Sequence, residues 1–288
     1  MKKLLIFDSN AIMYNVFSGY GKSPSYTLDG IPNYMLKGFY YYTEKAIRDN
    51  SPDYVVFVFD PSGKTFRHDI YPDYKGQRPE KDPEFKIQEP FIKEYLETTG
   101  YPVYTLNGYE GDDLIATIAK RASNSEHFSN ILIYTGDKDM LQILDDKISI
   151  FNIRNKNIIT KDNILENFPV PVDKVVDYLT LLGDKVDNVK GVDKCGEKSA
   201  KVLMENYNSI EHIYDNIDNL NSKTLSIKNH LLEGIKDYFK SNYDDIKLSK
   251  YLITLKTDID FELSTKSISR KNYKLEDILN YLHSKNIK

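Results

Sequence analysis

The sequence has few of the residues that form covalent cross-links or bind soft metal ions. It contains one cysteine, Cys195, so no intramolecular disulfide can form and no oxidising compartment is implied. None of its five histidines stands in a zinc-type spacing with Cys195 or with another histidine. Because nitrogen and sulfur ligands are scarce, a metal site in this chain would have to be built from oxygen atoms.

Long apolar runs and an excess of positive charge are also missing. No run approaches the ~18 apolar residues that span a bilayer. The apolar stretch near the N-terminus ends in Asp8, which indicates a first β-strand rather than a signal peptide. The formal net charge of −4 argues weakly against a nucleic-acid partner unless the basic residues are clustered. With 40% hydrophobic and 28% charged residues, the composition is that of a globular protein.

Up to about residue 150, short apolar runs alternate with amphipathic stretches. Unbroken apolar runs of this length are typical of parallel strands that are buried on both faces. Strands are predicted at residues 4–7, 54–59, 103–106, 131–135 and 148–151. Helices are predicted between them, at residues 32–50, 90–99 and 112–122. This alternation predicts an α/β fold with a mostly parallel central sheet flanked by helices.

From about Thr160 the pattern becomes all-helical, with helices predicted at residues 172–182, 197–207, 209–216, 222–242 and 274–284. We therefore divide the chain into an α/β core, residues 1–160, and a helical region, residues 161–288. Within the core, residues 61–89 contain four prolines and no sustained apolar period. An insertion of this length after a central strand is usually a lid or a binding loop.

Acidic residues follow three of the predicted strands. Asp8 ends the first strand, Asp60 ends the second, and Asp137 and Asp139 follow the strand at 131–135. Ligands of open α/β sheets bind at the carboxyl ends of the strands. Each acid alone is also explained by turn formation or by helix capping. Five more acids stand at the start of the 112–122 helix or just after the 172–182 helix: Glu110, Asp112, Asp113, Asp184 and Asp187.

Nine carboxylates at one rim of the sheet would repel each other strongly. Such a cluster requires bound cations, or the protonation of several of its members. Ligation by oxygen alone favours hard ions such as Mg²⁺ or Mn²⁺. Because Mg²⁺ is bound by a few carboxylates together with a phosphate group, the pattern predicts phosphodiester chemistry, with two ions ~3.5–4 Å apart.

Five motifs follow one another between Leu4 and about Glu262: Phe7-Asp8, Phe57-Val58-Phe59-Asp60, Gly108-Tyr109-Glu110-Gly111-Asp112-Asp113, Thr135-Gly136-Asp137-Lys138-Asp139 and Gly183-Asp184-Lys185-Val186-Asp187-Asn188. They resemble the motifs of the bacterial-type 5′ nucleases, which are the flap endonucleases and the 5′–3′ exonuclease domain of DNA polymerase I. The resemblance implies a PIN-like catalytic core, a helical arch inserted at about residues 61–89, and a helical region that binds duplex DNA through a helix–three-turn–helix.

The resemblance also implies which acids would hold two Mg²⁺ ions, with Mn²⁺ as a substitute. The first ion would be held by Asp8, Asp60, Glu110, Asp112 and Asp113. The second would be held by Asp137, Asp139, Asp184 and Asp187, with some sharing between the sites. All nine positions are acidic here, which favours an active enzyme.

Two further segments match the family. In the arch, Tyr74, Lys75 and Arg78 occupy motif positions and imply a catalytic role at the scissile phosphate, while Arg67 implies DNA binding. The insertion also has the mixed charge of a solvated loop, with six Lys/Arg residues against six Asp/Glu residues. The residues implied to grip duplex phosphates are Lys190, Gly191, Lys194, Gly196, Lys198 and Lys201.

The duplex-gripping turn departs from the family at two places. Cys195 stands where an aliphatic residue is common, and a glycine is common in place of Asp193 or Lys194. The geometry of this turn, and a potassium ion on its carbonyl groups, are therefore expectations that depend on how these residues fold. Cys195 has no nearby histidine in sequence and is interpreted as a small buried residue.

The function expected from these observations is a structure-specific 5′ nuclease that acts as 5′–3′ exonuclease and flap endonuclease in replication and repair. Its partner would be DNA with a 5′ flap or a 5′ end next to duplex, with a DNA polymerase in cis or in trans. The expected location is the bacterial cytoplasm or nucleoid, or an organelle for a processed fragment. Two alternatives stay open: a PIN-type endoribonuclease, and a non-catalytic protein that binds DNA junctions.

Overall fold

A computed structural model describes residues 1–20, 25–271 and 273–287. Its centre is a six-stranded sheet in the order β3-β2-β1-β4-β5-β6. The strands are β1 Lys2–Asp8, β2 Tyr54–Val58, β3 Val103–Tyr104, β4 Phe128–Thr135, β5 Ile148–Asn152 and β6 Asn157–Ile159. All neighbouring strands pair in parallel except β6, which runs antiparallel to β5. The predicted mostly parallel sheet is therefore confirmed.

Both faces of the sheet are buried, because successive side chains of β1 and β2 enter different hydrophobic clusters. Leu5 and Phe57 pack with the helices α1 Ser9–Tyr20, α2 Tyr34–Asn50 and α4 Pro83–Thr99. Leu4 and Val56 pack on the opposite face with α5 Gly111–Asn124 and with the helical region. Apolar runs without polar alternation are what two covered faces require.

The remaining helices follow the sheet in the chain, except for the short α3 in the insertion: α3 Phe66–Ile70, α6 Ile164–Asn167, α7 Val175–Leu182, α8 Glu197–Asn206, α9 Ile210–Asp215, α10 Ser222–Leu225, α11 Asn229–Ser241, α12 Tyr243–Ile253 and α13 Leu275–Ser284. Short 3₁₀ helices lie at Lys138–Ile143, Val172–Lys174 and Ile217–Asn219. The last helix, α13, returns to the N-terminal part of the core, where the Tyr281 hydroxyl donates to the Phe91 carbonyl on α4. Within the described residues, no helix is both long and apolar enough to cross a membrane.

Several element boundaries differ from the prediction for identifiable reasons. Helix α4 begins at Pro83 and not at Pro90, because the Asp82 side chain accepts from the Glu84 amide and a proline at the first helical position costs no hydrogen bond. The predicted helix at 222–242 is divided into α10 and α11, because Ser226 has a left-handed backbone with φ 53°. Helices α1, α6 and α12 and strand β6 were not predicted.

Candidate active site

The carboxyl ends of β1, β2 and β4 bring three acids to one edge of the sheet. Asp8 is the last residue of β1, and Asp60 and Asp137 each follow their strand by two residues. The register aligns Phe7 with both Phe57 and Tyr134, so the three strands end at the same level. The acids open into a cavity of about 650 Å³ that Asp112, Lys75 and Arg78 also line. We refer to this edge as the acidic rim.

Asp8 is buried at the base of the rim. Its two carboxylate oxygens accept from the Ala11 amide at 2.9 Å and from the Thr135 hydroxyl at 2.7 Å. Burial raises the pKa of Asp8 to about 7 against the opposing effect of these two hydrogen bonds, and the charges of Asp60 and Asp137 add to the rise. A nearby cation would stabilise the ionised form of this buried carboxyl group.

The start of α5 contributes Asp112 and positions Asp60. The Gly111 amide donates to Asp60 Oδ1 at 2.7 Å, and a Cβ on Gly111 would lie 3.0 Å from the same oxygen. Glycine at this position therefore allows the helix terminus to approach the acid closely. Burial, followed by the charges of Asp137, Asp8 and Asp60, raises the pKa of Asp112 well above its ordinary value.

A second acidic group lies beside the first and consists of Asp139, Asp184 and Asp187. Asp184 is fixed in a tight loop, where its Oδ1 accepts from the Val186 amide at 2.8 Å. Burial and the charge of Asp137 raise the pKa of Asp139 well above its ordinary value, with Asp184 and Asp187 adding to the rise. Asp137 thus faces both acidic groups.

The insertion places the cations Lys75 and Arg78 against acidic residues of the site. The Lys75 ammonium forms an ion pair with Glu110 and lies 3.7 Å from Asp187 Oδ2. The Arg78 Nε donates to Asp187 Oδ1 at 3.0 Å. The Tyr74 hydroxyl lies 3.1 Å from Glu110 Oε2, and burial together with the charges of Glu110 and Asp187 raises the pKa of Tyr74, so it stays a neutral donor.

Two residues assigned to the site from the sequence are buried behind it, where the Arg67 guanidinium lies 3.2 Å from Glu110 Oε2. Arg67 is only 1% exposed, so it has no surface to offer to DNA. Its guanidinium donates to both oxygens of Asp113, at 2.6 and 2.9 Å, and to the carbonyls of Leu252 and Thr254. Asp113 is fully buried, and the Lys256 amide donates to it as well. The expectations that Arg67 binds DNA and that Asp113 binds a metal ion are therefore corrected.

The donor set of the rim consists of carboxylate oxygens, which suits a hard cation. Among the described residues, no three histidine, cysteine or acidic side chains form a group that could hold a metal ion as they stand. Cations of the protein contact part of the rim: Lys75 is paired with Glu110, and the Lys138 ammonium lies 3.2 Å from Asp184. Burial, together with the charges of neighbouring acids, raises the pKa values of Asp8, Asp112 and Asp139, and a bound cation would favour the ionised form of each.

The turn that follows Asp184 and Asp187 packs closely against their loop. The contact is made by the backbone atoms of Gly183 and Gly191. A Cβ on Gly183 would overlap the Gly191 amide, and a Cβ on Gly191 would overlap the Leu182 carbonyl. Between Lys190 and Lys201, the residue with a left-handed φ is Lys194, at 61°, and neither Gly191 nor Gly196. Gly196 precedes α8, where no side chain caps the helix.

The basic residues of the turn are exposed, and its cysteine is not. Lys190, Lys194, Lys198 and Lys201 all reach solvent, although Lys190 lies 3.7 Å from Asp245 and Lys201 lies 3.8 Å from Glu205. Cys195 is buried, and burial raises the pKa of its thiol to about 12, which agrees with a structural role for this side chain.

Comparison with known sequences finds two family profiles on this chain. The profile of the 5′-3′ exonuclease N-terminal resolvase-like domain matches residues 3–169, and that of the 5′-3′ exonuclease C-terminal SAM fold matches residues 170–276. A 5′-3′ exonuclease of Aquifex aeolicus is 35% identical over 271 residues, covering 94% of this chain and 88% of the relative. DNA polymerase I of Bacillus subtilis is 31% identical over 283 residues, and the match covers 96% of this chain and 30% of that polymerase.

Solved structures share the fold at low sequence identity. T5 5′-exonuclease with bound zinc superposes with a TM-score of 0.71 at 20% identity, covering 88% of this chain and 89% of that chain. The catalytic core of Rad2 in complex with a DNA substrate superposes with a TM-score of 0.59 at 14% identity, covering 99% of this chain and 87% of that chain.

Proposed function

The chain belongs to the 5′-3′ exonuclease family, and from that premise we propose that it hydrolyses DNA phosphodiesters at 5′ ends and 5′ flaps in a reaction that requires divalent metal ions. The observation that carries the proposal is the acidic rim, where the ends of three parallel strands bring Asp8, Asp60 and Asp137 into one cavity with the cations Lys75 and Arg78. Acids and basic side chains that share an open cavity suit a reaction on a phosphate group.

We further propose that the ions are Mg²⁺, with Mn²⁺ as a substitute, and that two of them bind. Asp8, Asp60, Asp112 and Asp137 would hold one ion, and Asp139, Asp184 and Asp187 would hold the other with help from Asp137. Bound there, the ions would activate the attacking water and neutralise charge on the phosphate and on the leaving oxygen. Glu110 would join the first site once the Lys75 ammonium leaves it.

The arch residues would act on the phosphate directly or through the acids. Lys75 and Arg78 are paired with Glu110 and Asp187, so a phosphate drawn to the rim offers each cation an alternative anionic partner. Transfer of the cations from acid to phosphate would free the acids and add positive charge at the transition state. Tyr74 would position Glu110 by its hydroxyl.

The exposed lysines of the turn would hold the downstream duplex by its phosphates without reading bases. Lys194 and Lys198 are exposed beside the amides that open α8, and the positive end of a helix favours an anion. A potassium ion on the carbonyl groups of this turn, a DNA polymerase in cis or in trans, and a bacterial cytoplasmic or nucleoid location belong to the same proposal. The chain spans about 30% of the polymerase I relative, so the activities of that whole protein are not transferred.

A comparison of substrates tests the proposal. Purified protein is incubated with 5′-flap DNA, with DNA that has a recessed 5′ end, and with single-stranded RNA, each with Mg²⁺ and with EDTA. We expect Mg²⁺-dependent cleavage of both DNA substrates near the junction or the 5′ end. Preferential cleavage of the RNA would favour the endoribonuclease alternative. Tight binding of the flap without cleavage in Mg²⁺ or Mn²⁺ would favour the non-catalytic junction-binding alternative.

A further inference from the structure

The turn between β5 and β6, residues 153–156, brings one more cation to the cavity of the acidic rim. This cation is Arg154, which lines the cavity together with Gly136 and Asp137. In the strand order the turn lies on the other side of β1 from β2, the strand that leads into the insertion. Arg154 therefore reaches the rim from the β5 side of the sheet, and the proposed function gives it no role.

Hydrogen bonds and packing fix the backbone of this turn. The Arg154 amide donates to Asn152 Oδ1 at 2.9 Å. The Ile153 amide donates at 3.0 Å to the carbonyl of Thr135, the last residue of β4. The Ile153 side chain is buried in the hydrophobic cluster that includes residues of α1 and α2. The turn is thus held against the strand that leads to Asp137.

The side chain of Arg154 lies beside the acids but is not paired with one. A Cβ on Gly136 would lie 3.1 Å from Arg154 Nε, so glycine lets the arginine lie against the backbone next to Asp137. The other cations of the cavity form ion pairs: Lys75 with Glu110, Arg78 with Asp187 and Lys81 with Glu89. In the part of the chain that the structure describes, no acidic side chain forms a salt bridge with Arg154. Its guanidinium is therefore available to an anionic ligand.

The two faces of the sheet indicate which part of a bound strand Arg154 would meet. Val192 and Cys195, in the turn proposed to hold the duplex, pack in the hydrophobic cluster on the α5 face. Ile153 packs in the cluster on the opposite face. A strand that leaves the duplex and places its scissile phosphate on the acids would therefore continue toward Arg154. Because the duplex lies on the 3′ side of the scissile phosphate, the next phosphate toward Arg154 is the one on the 5′ side.

The chemistry around Arg154 suits a terminal phosphate. A phosphomonoester carries a charge of about −1.5 to −2 at pH 7, and a phosphodiester carries about −1. An arginine guanidinium can donate two parallel hydrogen bonds to phosphate oxygens. Asn15 and Ser18, one turn apart on α1, line the same cavity and add uncharged polar groups. The cavity volume of about 650 Å³ lies in the range of sites that hold small organic ligands.

We propose that Arg154 binds the terminal 5′-phosphate of a recessed 5′ end when the first nucleotide is removed. The inference rests on the proposed function and adds a chemical requirement to it, namely a phosphomonoester rather than a hydroxyl group at the 5′ end. A long flap carries its terminus away from the rim. The preference for a 5′-phosphate is therefore confined to substrates without an unpaired arm.

The test compares ends that differ only in the terminal phosphate. Duplexes with a recessed 5′ end carry either a 5′-phosphate or a 5′-hydroxyl group, and a fluorophore on the complementary strand leaves that end unchanged. Flaps of roughly ten nucleotides with the same two termini serve as a substrate control. Affinity is measured by anisotropy in Ca²⁺, which accepts the same oxygen ligands in looser geometry, and cleavage is followed in Mg²⁺.

Three variants of the turn are compared with wild type. Arg154→Gln removes the cation, and Arg154→Lys keeps the charge without the planar fork of donors. Lys156→Gln is the matched control, because Lys156 is an exposed cation of the same turn and does not line the cavity.

For wild type and Lys156→Gln we expect the recessed 5′-phosphate end to bind roughly tenfold more tightly than the 5′-hydroxyl end, the effect of one charge-assisted hydrogen bond. Arg154→Gln should lose this preference while its affinity for the 5′-hydroxyl end changes less than about threefold, and Arg154→Lys should keep part of it. The long flaps should show no preference in any of the proteins.

A wild-type protein that binds both recessed ends equally would overturn the inference, and so would a preference that survives in Arg154→Gln or is lost equally in Lys156→Gln. Wild-type protein that cuts none of the DNA substrates in Mg²⁺ would instead overturn the proposed function. Cleavage of both recessed ends without a preference thus separates failure of the inference from failure of the function.

Discussion

At the scale of single residues, Asp60 and Asp137 can lose their charge without losing their place in the fold. Each accepts a backbone amide through one oxygen, from Gly111 and from Asp139, and an asparagine keeps such an acceptor. We expect Asp60→Asn and Asp137→Asn to abolish Mg²⁺-dependent cleavage of a 5′ flap while the thermal unfolding midpoint in EDTA stays the same or rises, since a repelling charge is removed. Normal turnover in either variant would rule out the metal sites proposed for the rim.

Lys75 and Arg78 provide a second prediction at this scale. If they exchange their acid partners for the phosphate only as the reaction proceeds, their effect lies mainly in the transition state. Lys75→Ala and Arg78→Ala should each lower the single-turnover rate by ~100-fold, the effect of one preorganised electrostatic donor. Substrate affinity should change much less, because the lysines of the turn still hold the duplex.

Measurement of both constants separates the alternatives for the arch. A solvated loop would leave rate and affinity unchanged, and a binding patch would lower affinity while the rate at saturating enzyme is preserved. A rate within about threefold of wild type for both variants would count against the transition-state role.

The sequence indicated the acids at the strand ends but not the partners that decide their roles. Asp8, Asp60 and Asp137 follow apolar runs, and the ends of parallel strands meet at one edge of a sheet, so their convergence could be inferred. Asp113 stands next to Asp112 in sequence, yet a helix directs the two side chains differently, and Asp113 meets Arg67. That pairing joins residues 46 positions apart, and no local pattern contains it.

At the scale of elements, the strands were predictable because burial on both faces leaves a simple apolar signal. The helices with weaker signals were missed. Helix α1 begins directly after Asp8 without an intervening loop, and α12 follows α11 after the single residue Asn242. Strand β6 has three residues and pairs on one side only, so it lacks the apolar run of a central strand.

Arg67 joins three elements, since it lies on α3 and contacts Asp113 on α5 and the carbonyls that end α12. Removal of one partner from a buried ion pair leaves an uncompensated charge, so Arg67→Ala should lower the free energy of unfolding by about 3–5 kcal/mol. The double variant Arg67→Ala/Asp113→Ala should recover part of this loss, because the orphaned carboxylate is gone. Urea unfolding in EDTA measures the stability of both variants. An Arg67→Ala variant as stable as wild type would show that the buried ion pair does not stabilise the fold.

The acidic loop and the duplex-gripping turn are joined by the contact between Gly183 and Gly191. Gly191→Ala places a methyl group against backbone atoms, which cannot move away as a side chain can. We expect a loss of about 1–3 kcal/mol in the free energy of unfolding, as for other overpacked positions. Gly196→Ala is the matched control, because its added Cβ meets nothing within 4 Å and should cost less than about 1 kcal/mol. Equal stabilities of the two variants, measured by urea unfolding, would contradict the close packing.

At the scale of the whole molecule, the rim is assembled from both parts of the chain. Asp8, Asp60 and Asp137 come from the sheet, whereas Asp184 and Asp187 come from the loop after α7 in the helical region. Lys138 reaches from one part to the other through its contact with Asp184. Cations that bind at the rim therefore act on the stability of the complete fold, and so do protons.

The direction of this effect follows from the pKa of Asp8. Burial raises that pKa from its ordinary value near 4 to about 7, so the folded state holds the proton more tightly than the unfolded state. Proton binding by Asp8 therefore adds to the free energy of unfolding. This favourable contribution is complete below pH ~4 and is lost as the pH rises through about 7. Asp112 and Asp139, whose pKa values are also raised, act in the same direction.

We therefore expect Mg²⁺ to raise the thermal unfolding midpoint more at pH ~8 than at pH ~5.5, because metal ions and protons compete for the same carboxylates. Scanning calorimetry in EDTA and in Mg²⁺ at the two pH values measures the difference, at the ionic strength of the Mg²⁺ sample throughout. The variant Asp8→Asn should reduce the dependence on pH, since it removes one of the titrating groups from the rim. A Mg²⁺ effect that is equal at both pH values in the wild-type protein would show that the ions stabilise the fold at some place other than these acids.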